Sequence, residues 1–152
     1  MDINKIFGLF GNEDPNKDYP EPSEEEVKGL IGFEEFRSTP TYQIKMFQKV
    51  ILNHLSFQKQ LVKMFQNSDP ELGEFGDIEE AGEHMAFFRG WSYIKAVDLS
   101  NEDWQDCIKI QDPKLLGKAI NKSIKFFESL EEYEKCAFLT KIEKFLKENL
   151  DL

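Results

Sequence analysis

The chain is poor in the residues that build disulfide and metal frameworks, with two cysteines and two histidines among 152 residues. A small secreted scaffold needs cysteines in several pairs and a structural zinc site needs four such ligands, so the composition argues against both. No apolar run reaches the roughly 20 residues that cross a bilayer. The start, MDINKIFGLFG, lacks the basic n-region and long apolar h-region of a signal peptide. The expectation is a chain that is neither secreted nor membrane-spanning. The nucleophile elbow, the phosphate-binding loop, the dinucleotide fingerprint and the paired-histidine zinc motif are all missing. No enzyme and no cofactor are therefore expected. Period-two alternation is absent as well, which argues against a sheet.

What is present is apolar and aromatic mass. Fourteen phenylalanines within a hydrophobic content of 40% exclude a disordered chain and suffice for a single core. The net charge of −10 excludes a generally basic nucleic-acid binder. The charge falls in blocks, however. Residues 1–36 carry −7, residues 37–66 carry five bases and no acid, residues 67–84 carry seven acids and no base, and residues 114–130 carry +3. Such alternation predicts mutual neutralisation on folding and leaves room for a basic surface on an acidic protein.

The pattern along the chain predicts an all-α helical bundle. Residues 1–10 form an apolar arm, residues 11–22 a proline- and acid-rich tether, and residues 23–152 a single helical domain. Ser23 followed by Glu26 reads as a capping box, opening a short helix to about Phe36 that is loosened near Gly29 and Gly32. Thr39-Pro40 opens a second helix, free of Gly and Pro to Gln66, which should run unbroken for about 40 Å. Phe47, Ile51, Leu55, Val62 and Phe65 are its expected buried residues. Residues 67–77 read as a loop. Residues 78–97 form a helix, apolar nearly all round from Ala86 to Val97 and hence expected to be buried. Ser100 with Asp103 suggests the cap of a short helix. Asp112-Pro113 opens a carboxy-terminal hairpin over residues 113–149, turning near Leu130.

Three sets of residues carry functional readings. Ile3, Ile6, Phe7, Leu9 and Phe10 give the arm an apolar stripe that can fold back on its own core or dock on a partner, with helix-type anchors. Lys45, Lys49, Lys59 and Lys63 lie on one side of the long helix. The expected state is a solvated face, or pairing with the acidic blocks. The alternative is an anion or nucleic-acid surface. Arg89, among Phe87, Phe88 and Trp91, is expected to be a buried cation in a salt bridge, since a lone buried charge costs several kcal/mol. Glu80 and His84 have helix-face spacing but no further histidine nearby, so no metal site is expected. His54, Cys107 and Cys136 read as core residues.

Two resemblances add context. Phe36-Arg37-Ser38-Thr39-Pro40, the long helix, an acidic loop and then Ala86-Phe87-Phe88-Arg89-Gly90 resemble a small protein family encoded among the structural and packaging genes of short-tailed bacteriophages. Residues 130–139, LEEYEKCAFL, are similar to the second helix of the UvrB/UvrC-type interaction hairpin, without its following Arg-Asp. The resemblances imply protein–protein contact. The resulting expectation is a non-enzymatic, virion-associated structural or accessory protein of a tailed phage. It would sit in the virion or the host cytoplasm and dock on a portal, connector or internal protein, or on further copies of itself. Two other readings are an acidic inhibitor of a host nucleic-acid-binding or defence protein, and a packaging or replication accessory that touches nucleic acid. Neither nucleic acid nor a membrane is the expected partner.

Overall fold

A computed structural model describes residues 21–66 and 75–149, and its regular structure there is entirely helical. The helices are α1 (Glu24–Arg37), α2 (Pro40–Gln66), α3 (Phe75–Ile94), α4 (Glu102–Lys109), α5 (Pro113–Ser129) and α6 (Tyr133–Glu148). The expected all-α bundle is what the chain forms. The apolar arm and all but the end of the tether lie outside the described residues. The chain divides into two compact units, Met1–Glu34 and Glu35–Leu152, so the boundary falls within α1.

The capping box at the start of α1 is present in both directions. The Glu26 backbone N–H donates to Ser23 Oγ at 3.2 Å, and the Ser23 N–H donates to Glu26 Oε2 at 2.7 Å. Three acids in the first turn oppose the positive end of the helix dipole. The helix continues through Gly29 and Gly32, where loosening was expected. None of its residues is buried.

Helix α2 is one unbroken helix of 27 residues, as its lack of Gly and Pro predicts. Thr39 Oγ1 accepts from the Tyr42 N–H at 3.4 Å, and Pro40 stands at the first helical position. Burial is less even than expected. Ile44, Phe47 and Ile51 are fully enclosed, Leu55 and Val62 are half-buried, and Phe57 and Met64 face solvent. The side chain of Phe65 lies outside the described residues. The enclosure ends where the neighbouring helices do. Cys107 of α4 touches Thr41 near the start of α2, and Gly90 of α3 packs on Phe47 and Ile51. Beyond Leu55 the contact seen is with the first turns of α3, where Gln58 Nε2 donates to Glu79 Oε1 at 2.6 Å.

Gly90 sets the α2–α3 approach. A Cβ there would sit 2.8 Å from Cδ1 of Ile51 and 3.4 Å from the Phe47 ring, so the bare backbone lets the two helices close. On its other flank α3 meets the carboxy-terminal hairpin. Phe87 stacks on Phe126 at 4.5 Å, and Trp91 lies edge-on to Phe127 and Phe138. The helix begins at Phe75, inside the expected loop, and ends at Ile94.

Asn101, not Ser100, caps α4: its Oδ1 accepts from the Asp103 N–H at 2.8 Å. Ser100 instead gives both its N–H and its hydroxyl to Asp98 Oδ1. Asp112 caps α5 as expected, accepting from the N–H groups of Lys114 and Leu115. The turn into α6 places Glu131 in the left-handed region, φ 59°, while the Glu132 N–H reaches back to the Phe127 carbonyl. This tight turn folds Leu139, Ile142 and Leu146 of α6 into one core with Leu116, Ala119 and Ile120 of α5.

Candidate docking surfaces

The face that α3 turns away from the bundle is apolar. Helical spacing puts Ile78, Ala81, Met85 and Phe88 in one row, at i, i+3, i+7 and i+10. All four are exposed, Ile78 at 62% and Met85 at 75%. Two acids of the same helix lie on the opposite side, while Glu80 is exposed. Glu79 bonds to Gln58 of α2, and both Glu79 and Glu83 lie close enough to His54 to raise its proton affinity. An ordinary amphipathic helix buries its apolar stripe and exposes its acids. Helix α3 has a second apolar stripe, which the described part of the chain covers only at the Phe88 end, where Phe126, Phe127 and Lys135 meet the ring.

Arg89 belongs to this outer face. The expectation of a buried, ion-paired Arg89 is corrected: the side chain is exposed and forms no salt bridge within the described residues. The reason is angular. Phe87, Gly90 and Ile94 define the inward side of α3, and Arg89 is displaced from Phe87 by about 200° around the helix. For the same reason Phe88 is exposed while Phe87 is buried. The helix is thus not enclosed on all sides, as its composition suggested.

One cation does meet the aromatic cluster. Lys135 Nζ of α6 lies 5.6–5.9 Å from the rings of Phe88, Trp91 and Phe127 and pairs with Glu132 Oε2 at 2.9 Å. This cation–π contact fixes the inner edge of Phe88. Sequence reading missed it, because four residues on three helices make it.

Lys45, Lys49, Lys59 and Lys63 are all exposed, and none joins an ion pair among the described residues. Most of the two acidic blocks that were expected as alternative partners lies outside the described residues. The half-buried Leu52 and exposed Ser56 separate the two lysine pairs.

The other singled-out side chains are placed as structural groups. Glu80 and His84 approach only to 4.0 Å, and among the described residues no group of three or more His, Cys, Asp or Glu is arranged to hold a metal. His54 is half-buried, edge-on to Phe87, and its Nε2 has no hydrogen-bond partner among the described residues. Burial lowers its pKa below the usual 6.5, against the opposing pull of Glu83 and Glu79. The imidazole is therefore not the satisfied core group expected. Cys107 Sγ lies 3.1 Å from Thr41 Oγ1, and burial pushes the Cys136 thiol up, away from reactivity. A cavity of about 310 Å³ between the Val97–Ser100 loop and α6 is lined chiefly by Val97, Leu99, Phe138 and Ile142, with Asp98 and Lys141 at its wall.

The arm residues Ile3, Ile6, Phe7, Leu9 and Phe10 lie outside the described residues. No family model, curated protein or solved structure matches the chain.

Proposed function

We propose that the protein is a non-enzymatic docking protein that holds a larger assembly through the outer face of α3. The observation that carries this reading is the row Ile78, Ala81, Met85 and Phe88, exposed on a helix that packs on the bundle through its opposite side, at Phe87, Gly90 and Ile94. Contiguous exposed apolar surface on a folded domain marks a site that another surface covers. The row has the alternating three- and four-residue spacing by which one helix packs on another. The apolar arm, Ile3 to Phe10, is a second anchor in this reading.

The resemblance of residues 33–97 to a family of short-tailed phages gives the assembly a character: a virion structure such as a portal, connector or internal protein. Quantitative mass spectrometry of purified particles tests this. The expected result is a fixed copy number per particle for the wild-type chain and loss of at least about 90% of it for Met85→Lys, a change at an exposed position that should leave the fold intact. Wild-type particles without the chain, or unchanged incorporation of Met85→Lys, would refute the reading.

A further inference from the structure

The lysine face of α2 and the exposed helix α1 carry complementary patterns. On α2, Lys45 and Lys49 form one basic pair and Lys59 and Lys63 another, with Leu52 and Ser56 between them, all within about 80° of arc. On α1, Glu24, Val27, Ile31, Glu34 and Glu35 fall within about 100° of arc. This face therefore reads acid, apolar, acid along its length, where the α2 face reads base, then the half-buried Leu52 and exposed Ser56, then base.

The lengths agree as well. At the helical rise, the centres of the lysine pairs are about 21 Å apart and the acidic ends of the α1 face about 15 Å apart, a difference that flexible lysine stems absorb. Val27 and Ile31 are exposed, and the four lysines make no ion pair among the described residues. A duplex backbone matches this pattern less well. It offers no apolar side chain for Leu52.

We infer that the lysine face of α2 is a self-assembly site that receives α1 of a second copy of this chain, with Glu24 and the Glu34–Glu35 pair over the two lysine pairs and Val27 and Ile31 over Leu52. The contact is independent of the outer face of α3, which stays open to the larger assembly. Each copy carries one α1 and one α2. Two copies can therefore exchange helices and close a dimer, or pass the contact onward as a chain. Complementary charge sets the register of the two helices and makes the association salt-dependent.

Sedimentation velocity of the full chain tests the inference. At about 50 mM salt, association should rise with concentration up to about 200 µM, and at about 500 mM salt the chain should be largely monomeric. Reversal of the acids in Glu24→Lys/Glu35→Lys, or of the bases in Lys49→Glu/Lys59→Glu, should each weaken self-association at least about 10-fold, with helicity by circular dichroism unchanged. A mixture of the two variants pairs a reversed α1 with a reversed α2 and should recover association to within about 3-fold of wild type. A monomeric wild-type chain at low salt would overturn the inference. So would association that ignores salt or either reversal, or a mixture that fails to recover. Duplex DNA binding that disappears with Lys49→Glu/Lys59→Glu, in a chain that does not self-associate, would assign the face to nucleic acid instead. Particle incorporation is read separately, so failure here leaves the α3 reading standing.

Discussion

His54 shows how one side chain couples the fold to pH. Burial favours its neutral form, so the folded chain binds its proton less readily than the unfolded chain does. The sign follows from linkage. Where the unfolded state holds more protons, stability rises with pH. The contribution of neutral His54 is therefore intact above about pH 6.5, the unfolded value, and declines as pH falls toward the lowered folded value. Thermal melts of wild type and His54→Leu at about pH 7.5 and pH 5.5 should show the wild type losing ground to the variant at the lower pH. A difference between the two proteins that does not change with pH would contradict this account. The position of His54 in the apolar arc was visible from helical spacing. Its missing Nε2 partner was not, because that depends on which atoms of α3 come near.

At the scale of the helix, α2 and α3 show where sequence periodicity is decisive and where it is not. The extent of α2 could be read from its Thr-Pro start and its freedom from Gly and Pro. Its burial could not be read, since the wheel places Phe47 and Phe57 alike on the apolar half while neighbouring helices cover only the first. Phe47→Ala should cost about 3–5 kcal/mol in chemical denaturation, the range for a large aromatic in an enclosed core. Phe57→Ala should cost less than about 1 kcal/mol. Similar losses at both sites would mean that the far half of α2 is covered after all. Helix α3 presents the opposite difficulty. Its two apolar faces made it look buried all round, and composition alone cannot say which face meets this chain and which meets another. Gly90 was the available signal. A close helix contact at that position fixes the inward side, and Met85 and Arg89 then fall on the outside.

The whole molecule pairs a compact helical unit with surfaces that the described chain leaves uncovered. The all-α class, the helix starts at Ser23, Thr39 and Asp112, and the hairpin near Leu130 were all legible in the sequence, because capping residues and proline act locally. The exposed apolar face of α3 was not, because it arises from the way α3 settles on α2 and against α5. The central claim is that this outer face makes the contact with a larger assembly. Site-specific photo-crosslinking in cells that make the chain measures it most directly, with the crosslinker at position 85 and, as a control, at the exposed position 144 on α6. The account predicts one discrete adduct with a single larger protein from position 85 and none from position 144. No adduct from position 85, or the same products from both positions, would contradict it.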